Sequence, residues 1–185
     1  MVKIAIWCRH LETSIIGIGP NIPWHISSDF KRFKRITENK ALLVGQTTYE
    51  SFPNRTLPNR KIYILTFEKD YQVSDPLNHK VIPLEKVQDI QEELYISGGA
   101  SIYQLMMEKQ MPDLIVDSAY MGEIDPSFDG KPVTISKSIE IMHQNYQKIT
   151  DDFVLDNINT TIWAKKGLSV DEKVLEHLKN QIYNF

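Results

Sequence analysis

Short apolar segments rich in β-branched residues alternate along this 185-residue chain with segments of helical periodicity. This alternation restricts the fold most, because strands joined through helices build an α/β protein with a mostly parallel sheet. The predicted strands are Lys3–Cys8, Ala41–Gly45, Lys61–Thr66, Glu93–Ser97, Asp113–Tyr120, Tyr146–Asp151 and Phe153–Ala164. The predicted helices are Ser27–Ile36, Thr47–Phe52, Leu84–Glu92 and Ala100–Lys109.

The end of the chain departs from this alternation. Only a few residues around Asp151–Asp152 join the last two predicted strands, which predicts an antiparallel hairpin at one end of the sheet. After Gly167, the segment Ser169-Val-Asp-Glu172 is typical of a capping box that begins an amphipathic helix. We expect the apolar side of this terminal helix to pack on the domain or on a partner subunit.

Charge and cysteine content exclude several classes of protein. The 21 Lys and Arg residues against 24 Asp and Glu residues give a net charge of -3, which does not favour a nucleic-acid partner. The lone Cys8 and five scattered histidines predict neither an internal disulfide nor a metal site. There is no signal-peptide pattern, and no apolar run approaches the roughly 20 residues of a membrane helix. We therefore expect a cytoplasmic protein without a membrane partner.

A long connection follows the first predicted strand. Its residues Gly17, Gly19, Pro20 and Pro23 predict an irregular segment, and long loops in compact domains are often lids or binding loops. The pair Gly17-Ile-Gly19 lacks the third glycine of a dinucleotide-binding fingerprint and lies far from the strand end. The sequence therefore favours a binding loop over a Rossmann motif.

Asp29 is the acidic residue with the strongest chemical signal. It falls in the first turn of a predicted helix whose apolar residues Phe30, Phe33 and Ile36 are expected to face inward. Burial raises the pKa of a carboxyl group, which then serves as a proton source or binds an amidine-like group through two parallel hydrogen bonds. The alternative is that Asp29 only stabilises the positive end of the helix, which Ser27–Ser28 also cap.

Two strand-to-helix junctions indicate a ligand that contains phosphate. In Gly98-Gly99-Ala-Ser-Ile-Tyr103, two glycines permit close backbone approach, and the helix that follows offers free N–H groups to an anion such as a pyrophosphate. In Gly45-Gln-Thr-Thr-Tyr-Glu-Ser51, hydroxyl groups follow a second predicted strand. Junctions on parallel strands can face one crevice, so we expect these two to share a ligand.

Four stretches in this order together resemble dihydrofolate reductase: Asn21–Lys34, Leu43–Ser51, Leu57–Lys61 and Ile96–Tyr103. The resemblance extends from about Val2 to about Lys165. It implies a single-domain α/β fold over residues 1–167, with a mostly parallel central sheet and a C-terminal antiparallel hairpin, and an appended C-terminal helix over residues 168–185. The implied reaction is hydride transfer from NADPH to C6 of 7,8-dihydrofolate while N5 gains a proton, which gives 5,6,7,8-tetrahydrofolate.

The resemblance also implies roles for individual residues. Asp29 would bind the 2-amino group and N3 of the pterin and promote protonation of N5, and Trp24 would close the site from a mobile loop over residues 9–24. Arg60 would pair with the glutamate-tail carboxylate of the substrate. The implied substrate pocket, which would also take antifolate-type small molecules, comprises Ile6, Trp7, Cys8, Asp29, Phe33, Leu57, Arg60, Ser97 and Ser118. The implied NADPH site comprises Cys8, Ile16, Gly17, Gly45, Gln46, Thr47, Thr48, Leu65, Thr66, Ser97, Gly98, Gly99, Ala100, Ser101, Ile102 and Tyr103.

The cofactor site departs from the family pattern. Gln46 and Ser101 stand where many relatives carry basic residues that hold the 2′-phosphate of NADPH. Phe67 and Glu68 replace small hydroxyl residues, which leaves Lys69 as a substitute cation. We therefore predict NADPH use with a reduced preference over NADH.

The substrate pocket departs from the pattern at one position. The family's pocket threonine has no counterpart in register, and either Ser118 or Asp117 takes its place. We favour Ser118, because a second nearby carboxylate would perturb Asp29.

Two other functions compete with this interpretation. The pyrimidine-reducing domain of riboflavin synthesis shares the glycine pair, but it does not characteristically carry Pro23-Trp24 followed by Asp29 and Phe33. A catalytically silent folate-binding or interaction protein would use the terminal helix for docking, and the intact Trp24, Asp29 and Arg60 argue against such decay. The sequence predicts a monomer or a weak homodimer, the latter formed through the terminal helix.

Overall fold

Strands and helices alternate in the computed structural model, which describes residues 1–109 and 112–184. The strands are β1 (Lys3–His10), β2 (Ile15–Ile18), β3 (Ala41–Gly45), β4 (Lys61–Leu65), β5 (His79–Val81), β6 (Leu94–Ile96), β7 (Leu114–Tyr120), β8 (Pro132–Thr134), β9 (Tyr146–Lys148), β10 (Phe153–Leu155) and β11 (Ile158–Lys165). The α-helices are α1 (Ser27–Thr37), α2 (Gln46–Ser51), α3 (Ala100–Lys109), α4 (Ser136–Asn145) and α5 (Glu172–Tyr183). Short 3-10 helices cover Pro53–Arg55 and Leu84–Asp89.

Within those residues, a nine-stranded sheet forms the centre of the molecule. Its order is β10-β11-β7-β1-β6-β3-β4-β5, and β9 also pairs with β11. The strands from β7 to β5 run parallel, whereas β11 runs antiparallel to β7, β9 and β10. All five residues of β3 are buried, as expected for a strand covered on both faces. The predicted mostly parallel sheet with an antiparallel end is confirmed.

The turn of the antiparallel hairpin lies elsewhere than predicted. The segment Phe153–Ala164 is not one strand, because the chain reverses at Asp156 and Asn157 between β10 and β11. Both residues have positive φ angles, 51° and 59°, a conformation that Asp and Asn adopt more readily than most residues. The predicted connection at Asp151–Asp152 instead interrupts the sheet edge between β9 and β10.

Several short elements were not predicted from the sequence. The segment with Gly17 is not wholly irregular, because β2 pairs with β8 in a separate two-stranded sheet. Strands of three or four residues are too short for periodicity to reveal, and their pairing depends on distant parts of the chain. Helix α4 was also missed, and the predicted helix Leu84–Glu92 forms only the shorter 3-10 helix.

Two apolar cores cover the faces of the sheet. Helices α3 and α4 pack on one face, where Met106, Met107 and Met142 are buried among strand residues. Helices α1 and α5 pack on the other face. Helix α1, which carries Asp29, therefore contacts both the sheet and α5.

Helix α5 packs on its own chain in the described structure. Its residues Leu178 and Ile182 are fully buried in the same core as Ile36 of α1. The helix does not begin with the predicted capping box at Ser169, because Asp171 is the N-cap and accepts hydrogen bonds from two backbone N–H groups. Phe185, the last residue of the predicted appended segment, lies outside the described residues. No helix within the described ranges is long and apolar enough to span a membrane.

Candidate active site

A cavity of about 550 Å³ opens beside α1 at the carboxyl ends of the central strands. Among the described residues that line it, Asp29 is the only acid and Arg32 the only base. The cavity brings together fourteen of the predicted site residues: Ile6, Trp7, Cys8, Ile16, Trp24, Asp29, Phe33, Thr48, Leu57, Ser97, Gly98, Gly99, Tyr103 and Ser118. Sequence reasoning missed Ile22, Phe30, Arg32, Ser51, Phe52, Pro53 and Val116 in its wall.

Asp29 lies in the first turn of α1, partly buried in the cavity wall. Desolvation raises the pKa of its carboxyl group, while the charge of Arg32 and a hydrogen bond from the Cys8 thiol act against that rise. No side chain caps the start of α1, so the predicted capping by Ser27 and Ser28 is wrong. The geometry therefore leaves Asp29 available to a ligand in the cavity.

Phe30 does not face inward as predicted. Its side chain is 48% exposed at the cavity mouth, whereas Phe33 is half-buried in the wall and Ile36 is fully buried. Residues three and four apart share a helix face, so the inward face runs through Asp29, Arg32, Phe33 and Ile36. Phe30 directly follows Asp29 and so lies about 100° away from it around the helix axis, off the inward face.

Strand β1 forms the cavity floor through residues 6–8. The Tyr103 hydroxyl donates to the Ile6 carbonyl oxygen at 2.6 Å, and burial raises the pKa of that hydroxyl above its ordinary value. The Tyr103 ring meets the Trp7 ring edge-on, with 5.3 Å between centroids. Burial also raises the pKa of the Cys8 thiol, so this side chain is a poor nucleophile.

Ser118 and Asp117 lie on opposite faces of β7, because successive side chains of a strand alternate. The Asp117 carboxylate accepts hydrogen bonds from Arg9 Nε at 2.9 Å and Trp7 Nε1 at 2.7 Å. Ser118 lines the cavity, and its hydroxyl lies 3.1 Å from Thr160 Oγ1. The cavity thus presents the hydroxyl of Ser118 and not a second carboxylate.

Trp24 closes one side of the cavity. The indole is buried and packs on Tyr120 with 5.1 Å between ring centroids. Its Nε1–H has no hydrogen-bond partner among the described residues, and so remains available as a donor.

Arg60 lies outside the main cavity, in an adjoining polar depression of about 420 Å³. Leu57 lines both spaces and therefore joins them. The Arg60 guanidinium donates to the backbone oxygens of Pro58 at 2.5 Å and Lys34 at 2.6 Å. Its Nε–H has no partner within the described residues, and burial lowers the pKa of the group.

The glycine junctions leave no room for a Cβ atom, because neighbouring side chains pack closely against them. The Gly45 N–H donates to the Gly98 oxygen at 2.8 Å, and the Gly98–Gly99 peptide is cis. A Cβ at Gly45 would lie 2.9 Å from Ile102 Cγ1, and one at Gly99 would lie 3.0 Å from Thr48 Oγ1. Helix α3 follows directly. The N–H groups of Ile102 and Tyr103 donate to the Gly99 oxygen, which leaves those of Ala100 and Ser101 for an anion at this end of the helix. These residues fit a dinucleotide pyrophosphate.

The remaining predicted cofactor residues lie outside the cavity wall, most of them along the same edge of the sheet. They are Gly17, Gly45, Gln46, Thr47, Leu65, Thr66, Ala100, Ser101 and Ile102. Gly45 and Leu65 pair at the ends of parallel strands, which places Gln46 and Thr66 side by side. Within the described ranges, no group of three or more His, Cys, Asp or Glu residues is arranged to hold a metal ion.

Comparison with known proteins gave consistent matches. A family model for dihydrofolate reductase matches residues 3–163. Dihydrofolate reductase type 15 from Escherichia coli is 33% identical over 171 residues, which cover 89% of this chain and 99% of that protein. Dihydrofolate reductase type 1 from Escherichia coli is 30% identical over 172 residues, with the same coverage.

A solved structure shares the fold. It is the dihydrofolate reductase from Enterococcus faecalis, complexed with NADP(H) and RAB-propyl. The TM-score is 0.73 and the identity 23%, and the match covers 89% of this chain and 96% of the other.

Proposed function

This chain belongs to the dihydrofolate reductase family and catalyses NADPH-dependent reduction of dihydrofolate, and we propose that Asp29 promotes the accompanying protonation of pterin N5. The observation that carries the proposal is the position of Asp29 as the only acid among the described residues of the cavity wall. A carboxylate there accepts parallel hydrogen bonds from the 2-amino group and N3 of a pterin. This pairing orients the ring and favours gain of a proton at N5.

Other residues bind and enclose the reacting groups. NADPH, when bound, supplies the hydride that C6 of dihydrofolate receives. The glycine junctions at Gly45 and Gly98–Gly99 would hold the dinucleotide, and the rings of Phe33 and Trp24 would exclude water from the substrate. The Ile6 carbonyl oxygen, fixed by Tyr103, and Ser97 would border the pterin edge.

A turnover assay tests the function. Purified protein is mixed with NADPH and dihydrofolate, and loss of the reduced-nicotinamide absorbance is followed together with formation of tetrahydrofolate. We expect turnover of dihydrofolate and none of the pyrimidinone intermediate of riboflavin synthesis. Turnover of the pyrimidinone alone would assign the rival reductase activity, and binding of dihydrofolate without turnover would indicate a silent folate-binding protein.

Arg60 is proposed to bind the glutamate-tail carboxylate of the substrate from its adjoining depression. Arg60→Gln is expected to raise KM for dihydrofolate by roughly 10- to 100-fold, the effect of losing one or two charge-assisted hydrogen bonds, with little change in kcat. Steady-state kinetics measure both constants, and Arg55→Gln at an exposed site is the matched control. An equal rise in KM for dihydropteroate, which lacks the glutamate, would contradict the assignment.

We propose that the protein prefers NADPH over NADH only weakly, because it holds the 2′-phosphate of NADPH weakly. The Gln46 side chain donates to carboxylate oxygens of Glu68 at 3.0 Å and Glu50 at 3.2 Å, so acidic groups flank it. We expect kcat/KM for NADPH to exceed that for NADH by less than about 100-fold, because two charge-assisted contacts are absent. Glu68→Lys should raise that ratio, and Glu85→Lys, at an exposed position of the 3-10 helix Leu84–Asp89, should not. A ratio above about 100-fold in the wild type would disprove the weak preference.

We further propose that residues 1–167 form the reductase domain and residues 168–185 an appended helix. The burial of Leu178 and Ile182 against the same chain supports a monomer over a homodimer formed through that helix. We propose that the protein acts in the cytoplasm, and that antifolate-type molecules bind the Asp29 cavity.

A further inference from the structure

Arg32 is the largest fully buried side chain among the described residues, with 1% of its surface exposed. It lies one turn after Asp29 on the inward face of α1, and both residues line the substrate cavity. Removing an arginine from water costs several kcal/mol unless opposite charge and hydrogen bonds compensate. A negative charge near this position therefore offsets part of that cost.

An aromatic ring and several acidic groups lie near Arg32. The guanidinium carbon lies 6.0 Å from the centroid of the Phe153 ring on β10, within range of a cation–π contact. Asp156, at the β10–β11 turn, and the Cys8 thiol on β1 interact with it electrostatically, but Asp29 does so most strongly. Two further titratable groups lie on neighbouring elements: Asp117 on β7, which pairs with Arg9, and the half-buried His177 on α5.

Asp29 and Arg32 act on each other. Desolvation raises the pKa of the Asp29 carboxyl, and the charge of Arg32 is the largest effect that opposes the rise. Desolvation lowers the pKa of the Arg32 guanidinium, and the charge of Asp29 is the largest effect that opposes the fall. Each group thus favours the ionised form of the other, which matters because only an ionised carboxylate accepts two parallel hydrogen bonds from a pterin.

We propose that Arg32 is a positioning residue: its guanidinium, buried one turn from Asp29 in the same cavity wall, keeps that carboxyl in the form that binds the pterin. The inference rests on the proposed role of Asp29. Arg32 does not touch the reacting atoms in this scheme and acts only through the carboxylate. An uncharged side chain of similar size in its place would leave the shape of the cavity unchanged. Asp29 would then take up a proton at a higher pH than in the wild type.

The test is a titration of Asp29 in the ligand-free protein, followed by carbon NMR of labelled aspartate carboxyl groups. The Asp29 signal is assigned by its loss in Asp29→Asn. Arg32→Met, which fills similar space without charge, is expected to move the midpoint upward by at least about one pH unit, the usual effect of removing a close opposite charge. Arg32→Lys keeps the charge and should stay close to the wild-type midpoint.

Arg35→Met provides the matched control, because it makes the same substitution three residues further along α1. There, Arg35 Nε donates to Gln181 Oε1 of α5 at 3.2 Å. It should leave the midpoint unchanged, and thermal melts establish that each variant is folded. An unchanged midpoint in Arg32→Met, or an equal shift in Arg32→Lys, would overturn the proposal. The titration needs no turnover, so its outcome is separate from that of the reductase assay.

Discussion

Asp29→Asn is expected to reduce turnover of dihydrofolate at neutral pH by at least about tenfold, and up to roughly 10³-fold. The reason is that asparagine fills the same space but neither holds a negative charge nor promotes protonation of N5, a contribution typical of positioned acids and bases. Steady-state kinetics with NADPH measure the loss in kcat. Asp70→Asn, at an exposed position of the same charge type, is the control and should keep wild-type turnover.

The same variant is expected to be more stable than the wild type at neutral pH. Burial raises the folded-state pKa of Asp29 above its unfolded value, so its contribution to stability is full below the unfolded pKa and is lost as pH rises through the folded pKa. Asparagine does not titrate, so the gain in Tm should shrink as the pH is lowered. A lower Tm at neutral pH together with lost turnover would mean that the substitution damages the fold and would not support the catalytic role.

Leu178→Ala is expected to destabilise the protein by about 2–5 kcal/mol, the usual range for a buried leucine. Leu178 is fully buried where α5 packs on the face of the sheet that carries α1, so the substitution leaves a cavity in that core. For a chain of this size, the loss corresponds to a fall in Tm of roughly 5–15 °C, measured by thermal unfolding.

Leu77→Ala is the control for this second prediction, because Leu77 is 88% exposed and the atoms removed are the same. Its Tm should change little. If Leu178→Ala melted like the wild type, the packing of α5 on α1 would contribute nothing to stability. The proposed appended helix would then have no structural role on its own domain.

The parallel half of the sheet was predictable from its local pattern. Strand β3 reads as five consecutive apolar or small residues and is buried throughout, and the glycines at Gly45 and Gly98–Gly99 mark where strands end. The antiparallel end was less predictable, because Asp151–Asp152 and Asp156–Asn157 carry similar turn signals in sequence. Only pairing with β11 distinguishes the break in the edge strand from the true reversal of the chain.

The site was predictable where motifs fix backbone geometry, and less so where burial is decided by tertiary contacts. The cavity brings Asp29, Phe33 and Leu57 together. The helical pattern already indicated Asp29 and the inward face with Phe33, whereas Leu57 came from the resemblance alone. Arg32 was missed because a charged residue in a helix is usually solvated. The only signal was its spacing of three residues from Asp29, and its burial depends on elements at the far end of the chain, β10 and α5.

The most direct test of the role of Asp29 is the single-turnover rate of dihydrofolate reduction in the NADPH-loaded enzyme, measured across pH for the wild type and Asp29→Asn. We predict that the ratio of wild-type to variant rates is largest at neutral pH and falls steadily as the pH is lowered, because the substrate then arrives already protonated at N5. Equal rates at neutral pH, or a ratio that does not change with pH, would contradict a role for Asp29 in protonation.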